Sequence, residues 1–98
     1  MGTRDHLGEF EQLVLLASLR LRTDAYGMTI RRELEQRAGR QSSIGALYLT
    51  LDRLEQKGLI LSELGEATPE RGGRAKRYFT LNAQGRKALV RRIADGSP

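Results

Sequence analysis

The sequence predicts a mainly α-helical domain that carries one small two-stranded β-hairpin. Three observations lead there. Apolar residues recur at three- and four-residue steps through three successive stretches that end at Gly58. After Gly58 the period shortens, over 59–64 and again over 75–81, which reads as two strands. Between them lie Pro69, Gly72 and Gly73, so the strands form a hairpin with a long tip over 66–77. A last helical stretch follows. Three helices, a hairpin and a short closing helix is the order of a winged helix-turn-helix, read here as one domain over 1–98.

Residues 1–6 read as a tail. The first helix is expected over about 8–21, with Phe10, Leu13, Val14, Ala17 and Leu21 as one stripe. Leu15, Leu16 and Leu19 widen that stripe past half the circumference, so the helix needs cover on more than one side. Thr23 or Asp24 then caps a second helix over about 25–38, stopped by Gly39. Tyr26, Ile30, Leu34 and Ala38 give its buried face, and Gly27 allows close helix packing. Glu33 and Arg37 stand four apart in the favourable order, a pair worth a few tenths of a kcal/mol.

The third helix, over 43–57, organises the chain. Ser42 or Ser43 caps it, and Gly58 tolerates its left-handed end. Ile44, Leu47, Leu51 and Leu54 line the face to be buried. Ser43, Ala46, Thr50, Arg53 and Lys57 fall on another face, with Gly45 beside its start. That face is small near its beginning, hydroxyl-bearing in its middle and basic at its end. A helix entering a DNA major groove needs these properties: small residues for close approach, then donors for bases and phosphates. Taken alone, a solvated polar stripe would look the same. The hairpin tip beside it carries Arg71, Arg74, Lys76 and Arg77, four cations in one loop that suit phosphate contacts along a duplex. Asn82 caps the last helix, over about 83–94, with Leu89, Val90 and Ile93 as a short apolar stripe.

Composition supports a polyanionic partner and excludes several chemistries. Lys and Arg number 17 against 12 acidic residues, for a net charge of +5. There is no cysteine, so no disulfide, thiolate zinc site or thiol nucleophile exists. His6 is the one histidine and lies in the tail. No nucleophile has a base partner, the carboxylates are scattered among basic residues, and no cofactor is expected. The Glu70-Arg71-Gly72-Gly73-Arg74 tip lacks phosphate-loop spacing and precedes a strand rather than a helix. The longest apolar run, Leu13 to Ala17, is too short to cross a membrane or form a signal-peptide core. A cytoplasmic location is the default expectation.

The motifs resemble those of the PadR family of bacterial transcriptional regulators. Leu13-Val14-Leu15-Leu16 and Asp24-Ala25-Tyr26-Gly27 open the match. It continues through Ser43-Ile44-Gly45-Ala46-Leu47-Tyr48 to Gly58-Leu59-Ile60, then Arg71-Gly72-Gly73-Arg74 and Leu81-Asn82-Ala83-Gln84-Gly85. The resemblance implies a homodimeric repressor on a palindromic double-stranded DNA operator, released by a small molecule. It also implies that the Tyr48 hydroxyl meets the DNA backbone; the alternative is a packed core ring. Ser43 is expected to cap and to touch a phosphate. Thr50 and Arg53 are candidates for bases or phosphates, and Lys57 for the backbone or plain solvent. Many members carry a longer C-terminal helix. Here the interface on 83–95 must be small or must draw on the first helix as well, with Leu13, Leu16, Leu89, Val90 and Ile93 as its candidates. The same residues would line any pocket for a small apolar effector, although plain packing explains them as well. The competing reading is a winged-helix module that binds protein through its basic wing.

Overall fold

The computed structural model describes residues 7–65 and 76–96. The expected tail over 1–6 and the hairpin tip, with Arg71 and Arg74, lie outside the described residues. The elements run α1 (Glu9–Leu21), a 3-10 turn (Arg22–Asp24), α2 (Gly27–Ala38), α3 (Ile44–Gln56), β1 (Ile60–Leu64), β2 (Arg77–Leu81) and α4 (Ala83–Gly96). This is the mainly helical, winged architecture that the periodicity predicts.

Each helix starts and stops for a local reason. At α1 the Glu11 carboxylate reaches back and accepts the Gly8 N–H at 2.9 Å. At α2 the cap is not Thr23 or Asp24. The Tyr26 N–H donates to Thr29 Oγ1 at 2.9 Å, and the Thr29 hydroxyl donates to the Asp24 carbonyl at 2.6 Å. The helix starts two residues later than expected because Ala25 and Tyr26 are engaged elsewhere. Phe79 N–H donates to the Ala25 carbonyl at 2.9 Å, and Tyr26 bridges Tyr78. Residues 25–26 thus act as a short third rung on the outer side of β2. Gly39 and Gly58 end α2 and α3 with φ of 61° and 76°, values that favour glycine. Ser43 Oγ accepts the Ala46 N–H at 3.1 Å, as expected of the α3 cap.

The strands pair antiparallel, with Ile60 opposite Leu81 and Ser62 opposite Phe79. Their inner face joins a core that contains Val14, Leu15, Ile30, Leu34, Leu47, Leu51, Leu54 and Leu89. Ile44 and Ala38, both expected inside, are exposed. Ile44 is the first residue of α3 and Ala38 the last of α2, and both helix ends project past the core. The α4 cap is as expected: Asn82 Oδ1 accepts the Gly85 N–H at 2.8 Å. The same side chain donates through Nδ2 to the Gly58 carbonyl at 2.8 Å, so one residue ties the end of α3 to the start of α4.

Gly85 sits directly on the Leu59 carbonyl, so that a Cβ there would collide with backbone. In an ordinary helix Gly→Ala gains ~1 kcal/mol. Here the clash outweighs that gain, because overpacking against rigid atoms costs ~1–3 kcal/mol. Gly45, with nothing near its Cβ position, gives the opposite sign. Urea unfolding is expected to show Gly85→Ala destabilised by about 1–2 kcal/mol and Gly45→Ala stabilised by about 0.5–1 kcal/mol.

Candidate nucleic-acid interface

The core sets the roll of α3 about its own axis. Leu47, Leu51 and Leu54 are fully buried. On a 3.6-residue helix Thr50 lies only about 40° from Leu54 and about 60° from Leu47. It is therefore buried as well, at 6% exposure, and its hydroxyl donates back to the Ala46 carbonyl at 3.1 Å. The expectation that Thr50 faces a duplex is corrected on that ground. The outward face consists of Ser43, Gly45, Ala46, Leu49, Asp52, Arg53 and Gln56. Leu49, 61% exposed, lies near its middle.

Tyr48 is half-buried at the edge of this helix. Its ring centroid lies 6.4 Å from that of Phe79, and its hydroxyl end rests on Gly27, the first residue of α2. The glycine expected to allow close packing does so for this one phenol. The ring packs, as the alternative reading of Tyr48 has it, and the hydroxyl reaches the start of α2.

The cations expected to meet DNA fall into distinct groups. Arg53 is exposed, and among the described residues it makes no ion pair or side-chain hydrogen bond. Lys57 is not simply solvated. Its Nζ lies 2.9 and 3.0 Å from the two Glu11 oxygens, which joins the end of α3 to the start of α1. Arg77 turns inward to α3 rather than outward. It donates to Glu55 Oε1 at 2.7 Å and to Ser62 Oγ at 3.2 Å, and Nη1 lies 3.5 Å from Asp52 Oδ1. Ser62 in turn donates to Glu55 Oε2 at 2.9 Å. Lys76 is exposed with its Nζ 4.3 Å from the Tyr26 ring centroid. The Glu33–Arg37 pair is present at 3.2 Å, and Arg20 of α1 joins Glu33 at 2.9 Å.

The residues expected at a subunit interface are not all available on the surface. Leu89 is buried within the chain's own core, at 2% exposure, and is corrected from that set. Leu13 and Leu16 are half-buried against the core, while Val90 and Ile93 are exposed at 67% and 47%. One stripe on α4 therefore divides, because Leu89 and Val90 are 100° apart on the helix. None of these five lines the cleft of about 560 Å³ between α1, β2 and α4; Leu19, Arg22, Thr80 and Arg86 are among its walls.

The sequence reading missed Leu49, Glu11 and the carboxylates Asp52 and Glu55. Glu11 carried a signal: an acid at the third position of a helix after a glycine is a capping carboxylate. Burial pushes the Glu11 pKa up, but the Gly8 N–H, Lys57 and Arg53 outweigh it, so the pKa lies below the ordinary 4.5.

With the geometry established, similarity identifies the lineage. The sequence pattern of the transcriptional regulator PadR-like family matches residues 15–91. The chain belongs to the PadR-like family. Among solved structures it is similar to RosR from H. salinarum, with 31% identity, 90% of this chain and 72% of that chain covered, and a TM-score of 0.68. A PadR family transcription regulator from Clostridium difficile shares 26% identity over 86% of this chain and 84% of that one, with a TM-score of 0.67. A PadR-like transcription factor from Bacteroides fragilis, 24% identical over 88% and 78%, has a TM-score of 0.73 and shows the common fold. No curated protein matches the chain. Family membership makes this PadR-like chain a DNA-binding transcription regulator and not an enzyme. RosR is an archaeal neighbour, so the family does not fix a bacterial source.

Two expectations follow from the charges. A carboxylate with a depressed folded pKa contributes stability above its unfolded pKa, and that stability is lost as pH falls through the folded value. Unfolding followed across pH is expected to show the wild type losing stability as pH falls below 4.5, the ordinary value for this carboxylate, with Glu11→Gln flattening that loss. Arg77→Ala is expected to weaken DNA binding by exposing Glu55 and Asp52 to phosphates. Adding Glu55→Gln to Arg77→Ala should then recover part of the affinity in a titration, which loss of a direct phosphate contact would not allow.

Proposed function

We propose that this PadR-like chain is a cytoplasmic, single-domain regulator that acts as a homodimeric repressor on a palindromic operator. The observation that carries the reading is the exposed N-terminal half of α3. There a capped helix end presents Ser43, Gly45 and Ala46 outward, with unpaired Arg53 two turns on. Small residues admit the helix to a major groove, the capped end favours a phosphate near Ser43, and Arg53 reaches a base edge or phosphate. The Tyr48 hydroxyl, at the rim of this face, is assigned to the DNA backbone. Arg71, Arg74 and Lys76 are assigned to phosphates and fix orientation without reading sequence. Lys57 and Arg77 position α3 through Glu11 and Glu55. Half-sites should lie ~10 bp apart if two copies bind successive major grooves.

Val90 and Ile93 on α4, with Leu13 and Leu16 on α1, support self-association in this reading. A small apolar effector held at that interface would release the operator by changing the spacing of the two α3 helices.

Footprinting on the chain's own upstream region tests the reading. Protection of a palindromic site supports it, and retention on any duplex without a protected site rejects it. Arg74→Ala is expected to lower affinity on all sequences and reduce the salt slope by about one per lost phosphate contact per subunit. An unchanged slope after loss of both Arg71 and Arg74 removes the wing from the interface. Val90→Arg is expected to shift sedimentation toward the monomer and to weaken operator binding.

A further inference from the structure

The first two turns of α3 pose a problem of chemistry. A recognition helix reads bases mainly with residues of its N-terminal part. In this chain that part is almost without free hydrogen-bonding groups. The Ser43 hydroxyl is engaged in capping, the Thr50 hydroxyl is buried against Ala46, and Tyr48 packs its ring on Phe79 with its hydroxyl turned to Gly27 at the rim, a place for a backbone contact rather than a base. Gly45 and Ala46 carry no reach. Leu47 and Leu51 are in the core. The side chain that extends outward from the middle of this stretch is Leu49, at 61% exposure. It stands three residues after Ala46 and four before Arg53, on the same outward face.

Scattered exposed leucines need no explanation by themselves. This one differs by its neighbours. Residues 45 and 46 are small, so the helix backbone approaches a surface closely there and carries Leu49 into it. The major groove offers one apolar feature, the methyl on C5 of a pyrimidine. Thymine carries it, and so does 5-methylcytosine.

We propose that Leu49 is a specificity-determining residue of α3 that reads a pyrimidine 5-methyl group in each half-site. The inference rests on the proposed operator binding. Base discrimination by the front of the helix is then by van der Waals contact, and Arg53, one turn further on, supplies the polar contact. Leu49 plays no part in the fold's core, so its truncation leaves the protein folded, as a thermal melt would verify.

The test uses the full chain and an operator selected from random duplexes. Each thymine is replaced in turn by deoxyuridine, which removes the methyl and nothing else. One thymine per half-site is expected to lose about fourfold in affinity on replacement, the worth of one buried methyl. Leu49→Ala is expected to bind the thymine and deoxyuridine duplexes equally. A 5-methylcytosine–guanine pair at that position that restores affinity assigns the contact to the methyl on either base. A pair that does not restore it assigns the contact to thymine. If specific binding persists and no deoxyuridine position matters, or if Leu49→Ala keeps the full discrimination, the proposal is overturned while the regulator reading stands. If selection yields no preferred sequence, the operator reading itself fails.

Discussion

The roll of α3 is the constraint on which the rest of the structure depends. A helix packed by three leucines has little freedom to turn, because a rotation of one residue would carry Leu47, Leu51 and Leu54 into water together. Each buried leucine is worth ~1.5–3 kcal/mol relative to exposure. That sum far exceeds anything a surface contact offers, so the core decides which side chains the helix presents. The outward row of Gly45, Ala46, Leu49, Arg53 and Gln56 follows from that decision. Function has to be built from the residues left outside.

Charge then adjusts what packing leaves. α3 carries two acids of its own, Asp52 and Glu55. Both face Arg77 of β2, and Glu55 is also bonded to Ser62. The pairing neutralises the side of α3 that a phosphate would otherwise avoid. It also fixes the tip-side end of the hairpin against the helix, because Arg77 stands opposite Leu64 where the strands lead into the tip. Lys57 does similar work at the far end, where a nearly buried Glu11 binds it and caps α1 with the same carboxylate. An exposed pair would contribute little. This one is shielded on the Glu11 side, where removal of Lys57 would leave a desolvated charge without compensation.

Much of this was legible in the sequence, and the failures have physical causes. Period and punctuation gave every helix, the Ser43 and Asn82 caps, and the stops at Gly39 and Gly58, because these depend on neighbours in the chain. Thr50 is misplaced by sequence because a hydroxyl on its own points to solvent. A threonine that bonds its own helix carbonyl is satisfied without water. Leu49 escaped for the converse reason, that an apolar side chain is not by itself a sign of a contact face. Lys57 and Arg77 were read as outward cations because their partners, Glu11 and Glu55, are 46 and 22 residues away. The α2 start was placed early because nothing local reveals that Ala25 and Tyr26 pair with β2.

That last pairing explains why the hairpin can be an accessory to α3 rather than an independent arm. β2 lies between two partners. On one side it is zipped to β1, which follows α3 after the Gly58 turn; on the other, Phe79 and Tyr78 bind the segment that leads into α2. β2 is therefore tied to both helices of the helix-turn-helix. An isolated two-stranded hairpin is marginal in water, but this one has a third rung, a tyrosine pair with centroids 5.5 Å apart, and Phe79 buried beneath it. Any shift of α3 against α2 would have to break that rung or carry β2 with it.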